Sequence, residues 1–145
     1  MAEIKIVKSK NVDPQPLLAT DGLSSGCLKR LIYPHTVDTQ RSFMGAAEVE
    51  PGFSPHRWHK HERDNGKDFE IEYSQNFEEI YYIVKGSGVV QFKDADGLMN
   101  SIQVEAGDAI YFPPGVGFHQ LLNNGTEKMF LVFCGGPPPK VTLKG

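Results

Sequence analysis

The chain has 145 residues, of which 39% are hydrophobic and 23% charged, with a formal net charge of −3, so it suits one globular domain with a core of its own. Fifteen basic residues against eighteen acids leave no basic stripe for nucleic acid, and no apolar run approaches the ~20 residues of a membrane helix. Met1–Lys10 alternates apolar and charged residues without a signal-peptide core, and Cys27 and Cys134 form no CxxC pair; the expectation is a cytoplasmic protein with reduced thiols.

Residues 1–27 read as an extended arm, because Asp13-Pro14-Gln15-Pro16 excludes a helix and Asp21-Gly22 and Ser24-Ser25-Gly26 are turn sequences. Residues 28–136 then read as short strands between turns: Leu28–Tyr33, Ser42–Glu50, Glu78–Val84, Ser87–Lys93, Leu98–Val104, Ala109–Phe112, Phe118–Leu122 and Lys128–Cys134. Pro51-Gly52, Gly86, Asp94–Gly97, Glu105–Asp108, Pro113-Pro114-Gly115 and Asn123-Asn124-Gly125 punctuate them. Strands at this spacing predict an all-β sandwich or barrel. Asn123-Asn124-Gly125 predicts a hairpin between the last two. The Pro-rich tail, residues 137–145, is expected to run extended over the surface. Residues 62–77 break the rhythm: they carry five acids against Arg63 and Lys67, with an Asn65-Gly66 turn in the first half and the alternation Phe69, Ile71, Tyr73 in the second. A loop followed by an extra strand or flap is expected there, either a solvated insertion or a lid.

Chemistry gathers around His59-Lys60-His61. In a strand, residues two apart share a face, so both imidazoles can meet one ion. Glu79 opens the next strand, and His119 follows a Pro-Gly turn. Three imidazoles and one carboxylate suit Fe, Mn, Co, Ni, Cu or Zn rather than calcium. Glu78 is the alternative carboxylate. His56 has the parity of Trp58, which turns it away from His59 and His61 if the strand is regular; a break at Pro55 would make it a replacement ligand. Trp58 is expected to pack.

These residues resemble the two motifs of the cupin superfamily, G-x5-H-x-H-x(3–4)-E-x6-G and G-x5-P-x-G-x2-H-x3-N. The matching residues are Gly52, His59, His61, Glu79 and Gly86, then Gly107, Pro113, Gly115, His119 and Asn123. Three departures lengthen the pattern, by one residue before His59, by one before His119, and to seventeen residues between His61 and Glu79. The spacing of Glu79 to Gly86 favours Glu79 over Glu78. The resemblance implies a double-stranded β-helix, or jelly-roll β-barrel, holding one divalent transition metal on His59, His61, Glu79 and His119. It also implies a small-molecule ligand or substrate. Tyr81, Tyr111, Gln91 and Arg57 are candidate pocket groups, and no catalytic base is assigned. A metal-dependent enzyme for a small oxygenated metabolite is the leading expectation, with O2-dependent dioxygenase chemistry first. An isomerase or lyase, or a non-catalytic binding protein, stands as the alternative. The strands Glu78–Val84 and Lys128–Cys134 are apolar on both faces, which predicts a covering partner and hence a homodimer.

Overall fold

The structure is a computed structural model and describes residues 2–17, 26–66 and 69–144. Leu18, Asp21-Gly22, Ser24-Ser25 and Lys67 lie outside the described residues. The described chain is almost wholly antiparallel β. The strands are β1 Gln15–Pro16, β2 Gly26–Ile32, β3 Phe43–Val49, β4 Asp64–Asn65, β5 Phe69–Glu72, β6 Glu78–Lys85, β7 Ser87–Lys93, β8 Met99–Glu105, β9 Ala109–Phe112, β10 His119–Leu122, β11 Met129–Gly136 and β12 Lys140–Leu143. A single helical turn, α1 Pro34–Val37, follows β2. Among the described residues no helix is long and apolar enough to cross a membrane.

Six strands form one sheet in the order β1-β2-β3-β11-β6-β9, and three form a second in the order β10-β7-β8. Alternation fixes what lies between them. Met129, Leu131 and Phe133 of β11 and Tyr81 and Ile83 of β6 face inward and are buried. There they meet Val90 of β7, Val104 of β8 and Leu121 of β10 in one core. Gly86 makes the corner at which β6 gives way to β7. Its φ of 88° and the Met129 backbone 3.1 Å from where a Cβ would stand both require glycine.

All eight expected strands form, with ends that differ by one or two residues. The expected hairpin at Asn123-Asn124-Gly125 does not. β10 pairs with β7, whereas β11 pairs with β3 and β6, so this connection crosses from one sheet to the other. The fully buried Asn123 makes the crossing possible. Its Nδ2 donates to the carbonyls of Val49 and Glu127, both at 2.9 Å, and its Oδ1 accepts from the Gly125 N–H at 3.0 Å. The dipeptide signal marks a turn and says nothing about which strands the turn joins.

A third small sheet, β12-β5-β4, lies at one end of the sandwich. It is built from residues 62–77 and the tail, since Lys140–Leu143 pairs with Phe69–Glu72. Phe69 and Ile71 are buried in their own cluster with Tyr73 and Val141. The charged stretch is therefore anchored by its apolar alternation, with Glu62 and Glu72 exposed, and the tail runs as a strand partner of Phe69–Glu72.

Candidate metal centre

The histidines come together through backbone pairing. His59 and His119 exchange both main-chain hydrogen bonds, His59 N to His119 O at 3.1 Å and His119 N to His59 O at 2.9 Å. Directly paired residues put their side chains on one face, and these two ring centroids lie 4.4 Å apart. The His59–His61 segment is no regular strand; His59 forms an isolated antiparallel bridge to His119. The expected alternation is thus replaced by an irregular loop, yet His61 still turns inward. Its ring sits 5.3 Å from His59 and 4.8 Å from His119. Aromatic rings wall the cluster: Phe77 meets His61 edge-on at 4.8 Å, and Phe112 stacks on His119 at 4.6 Å. Tyr73 lies 5.0 Å from His61.

Ligand nitrogens of His59, His61 and His119 all lie within 4.8 Å of one another. Three nitrogens at about 2.1 Å from one ion lie no more than about 3.6 Å from each other, so closure by roughly an ångström would seat an ion. The electronic state fits as well. Burial, reinforced by the neighbouring imidazoles, lowers the pKa of His59 well below the ordinary value and that of His61 to about 3; burial also lowers that of His119. All three are neutral near pH 7, as ligands must be. Nδ1 of His119 lies 2.8 Å from the Gly117 carbonyl, which fixes the proton there and leaves Nε2 as an unpartnered acceptor. His59 Nδ1 and both nitrogens of His61 are likewise buried without a hydrogen-bond partner. Buried polar atoms are rarely left so, and an ion among them would satisfy them together.

Glu79 approaches this cluster through His61, with Oε1 3.6 Å from Nε2. Its side chain is 12% exposed, and burial pushes its pKa up to about 8. Glu78 points the other way, is exposed, and accepts a 2.7 Å hydrogen bond from the Tyr111 hydroxyl. The two faces of β6 thus separate the two carboxylates, with Glu79 on the histidine side.

The remaining sequence candidates divide. Tyr81 is buried and lines a cavity of about 50 Å³ together with Glu79. Tyr111 is 56% exposed and its ring belongs to the outer face of β9, because Ile110 and Phe112 take the inner positions; it does not line the cavity beside Glu79 but lines a separate cleft of about 430 Å³ that includes His119. Gln91 of β7 accepts from Gln120 Nε2 at 2.6 Å across the β7–β10 pair, and Arg57 is half-buried beside His56. Trp58 is 38% exposed and does not pack in the core.

His56 requires a correction. Parity turned it away from the site, but the chain is irregular at Ser54–His56 and the ring is buried, stacked on His59 at 3.5 Å with an interplanar angle of 15°. Its Nε2 lies 3.8 Å from Asp64 Oδ2. It flanks the trio but does not belong to the group of mutually close ligand atoms. Sequence reasoning also missed Arg30, Tyr33 and Tyr73, which line the same cavity as Glu79, Tyr81 and His56. A signal existed for Arg30, which shares strand parity with the buried Leu28.

Residues 65–134 match the family model described as "Cupin domain". An uncharacterized protein of Methanocaldococcus jannaschii is 27% identical over 138 residues, covering 95% of this chain and 92% of that protein. Among solved structures, a predicted oxalate decarboxylase from Thermotoga maritima superposes with a TM-score of 0.64 at 20% identity, covering 97% of this chain and all of that one. An oxalate oxidase structure gives 0.63 at 18% identity, with 86% of this chain matching 57% of the oxidase chain. With the jelly-roll sheets, the motif residues and the matched domain in agreement, this chain carries a single small cupin domain on the cupin fold.

Proposed function

We propose that this chain is a metal-dependent cupin enzyme that acts on a small oxygenated metabolite, with His59, His61, His119 and Glu79 as the metal ligands. The observation that carries the reading is the convergence of three buried, neutral imidazoles with unpartnered nitrogens beside a buried carboxyl. A divalent transition ion held there would polarise a substrate oxygen and, if redox-active, exchange electrons with it.

The chain's own groups supply the rest. Phe77, Phe112 and Tyr73 hold the imidazoles in place and exclude water around them. Burial keeps the Tyr73 and Tyr81 hydroxyls protonated far above neutral pH, so they serve as hydrogen-bond donors. The β12-β5-β4 sheet closes the cavity, since Ile71, Tyr73 and Val141 form part of its wall. This supports reading residues 62–77 as a cover over the site.

O2-dependent oxidation is the first reaction class to test, because one protein of similar fold is an oxalate oxidase; the predicted oxalate decarboxylase makes decarboxylation the second. A screen of small carbonyl, hydroxy and carboxylic acids over the metal-loaded protein, following O2 uptake and CO2 release together, tests the proposal. Turnover that requires metal is expected. Ligand binding without turnover by any metal form would instead mark a binding protein.

A further inference from the structure

Arg30 is a buried cation that forms no ion pair among the described residues. It sits on the inner face of β2 and is 6% exposed. One terminal nitrogen donates to Gln15 Oε1, and the guanidinium lies 5.8 Å from the centre of the Tyr33 ring. Its Nε is buried with no hydrogen-bond partner. Among the described residues no carboxylate lies within ion-pairing distance of it. A guanidinium does not deprotonate in a protein, and burying an unpaired charge is costly. Among the described residues the fold therefore holds a buried positive charge with an unused donor, which a bound anion would satisfy.

The surroundings specify that ligand. Arg30 lines the cavity of about 50 Å³ together with Glu79, Tyr33, Tyr73 and Tyr81. At ~10–15 Å³ per water, such a space suits a ligand of roughly three to five non-hydrogen atoms. The Nε side of a guanidinium presents planar, parallel donors that match a carboxylate. A single cation facing three phenols and an apolar wall does not offer the several charges that a phosphate dianion would need. Arg30, Tyr33, Pro139 and Val141 also line an outer groove of about 460 Å³ beside the tail, so the cavity adjoins the surface at Arg30.

We propose that Arg30 binds the carboxylate of a small organic acid, whose other end carries a carbonyl or hydroxyl oxygen towards Glu79. This inference rests on the metal-centre reading only for what meets that far end; recognition of the carboxylate needs Arg30 alone.

The test uses the full chain, both metal-loaded and chelator-stripped. Acetate, glycolate, pyruvate and oxalate are titrated by calorimetry and by thermal shift, with glycolamide as the neutral counterpart of glycolate and inorganic phosphate as the competing anion. At least one carboxylate is expected to bind, glycolamide not to bind, and Arg30→Gln to weaken the carboxylate about tenfold or more. Arg30→Lys should retain part of the affinity. Without ligand, Arg30→Gln should melt no lower than wild type, because it removes an unpaired buried charge; a merely structural arginine would lower the melting temperature. No binding by any of the four acids, equal affinity in Arg30→Gln, or glycolamide binding as tightly as glycolate would overturn the proposal, as would phosphate outcompeting every carboxylate. If Arg30→Gln fails to fold, the Arg30→Lys variant and the glycolate–glycolamide pair on wild type still decide it. Metal content measured on the same samples separates the two readings: Arg30-dependent binding in protein that takes up no metal would refute the metal centre and leave this inference intact.

Discussion

Replacing Glu79 by glutamine separates metal binding from folding, because glutamine mimics the protonated carboxyl in shape. Burial holds the Glu79 pKa at about 8 against an ordinary 4.5, and the nearby His61 is neutral, so the pair's one proton resides on Glu79. The folded value is raised. The resulting stabilisation is complete below pH 4.5 and is lost as pH rises through 8. Between those limits it amounts to on the order of 5 kcal/mol at 1.36 kcal/mol per pH unit. At pH 7 the metal-free carboxyl is about nine-tenths protonated, and expelling that proton weakens metal binding about tenfold relative to its value well above pH 8. Calorimetric titration of the stripped protein with Co(II), in buffers of different ionisation enthalpy, should therefore show about one proton released per ion at pH 7 and almost none at pH 9. In Glu79→Gln the release should vanish at both pH values and the affinity should fall more than tenfold. Urea unfolding without metal should show wild type losing about 1.4 kcal/mol between pH 7 and pH 9 while Glu79→Gln stays level. A wild-type stability that is flat across that range, with no proton released at pH 7, would mean that Glu79 is already ionised in the empty site and would refute the reasoning.

Asn123→Ala should cost about 2–3 kcal/mol in denaturant unfolding, since it orphans the buried carbonyls of Val49 and Glu127 at the crossing between the sheets. The outer face of β6 leaves Ile80, Tyr82 and Val84 open at 38%, 47% and 55% exposure, and Ile4 and Ile6 of the arm do not cover it. Sedimentation equilibrium should therefore find a homodimer that Tyr82→Lys shifts to monomer; a wild type that stays monomeric at the highest concentrations would contradict this. Phe69→Ala with Ile71→Ala should loosen the small sheet, raising hydrogen exchange in β5 and β12 and weakening small-ligand binding while metal content stays unchanged. Equal ligand affinity in that variant would mean that residues 62–77 do not close the site.

Much of the barrel is legible from period-2 alternation and turn chemistry, which need no knowledge of partners. β7 and β9 begin and end where their flanking turns put them. The choice of Glu79 over Glu78 follows from counting back from Gly86; in the fold, Glu79 lies on the His61 side of β6 and Glu78 on the exposed side. Reading fails where the backbone is irregular or the contact is remote. Parity misplaces His56 because no ladder extends through Ser54–His56. The partners of β11 are invisible from the Asn123 turn, because a turn sequence carries no sheet identity. The strand formed by Lys140–Leu143 depends on Phe69–Glu72, some seventy residues earlier. Arg30 shows itself only as a charge at a core position, and its meaning depends on a cavity that Tyr73, Glu79 and Val141 complete from three other segments.

The central claim is that His59, His61 and His119, with Glu79, hold one metal ion. Metal analysis of protein purified without added metal, then stripped and reloaded, addresses it directly when wild type is compared with the His59→Ala/His61→Ala double variant. One equivalent of a divalent transition ion per chain in wild type, and none in a folded double variant, is the predicted result. Full occupancy in the double variant, or a wild type that takes up no ion on reloading, would contradict it.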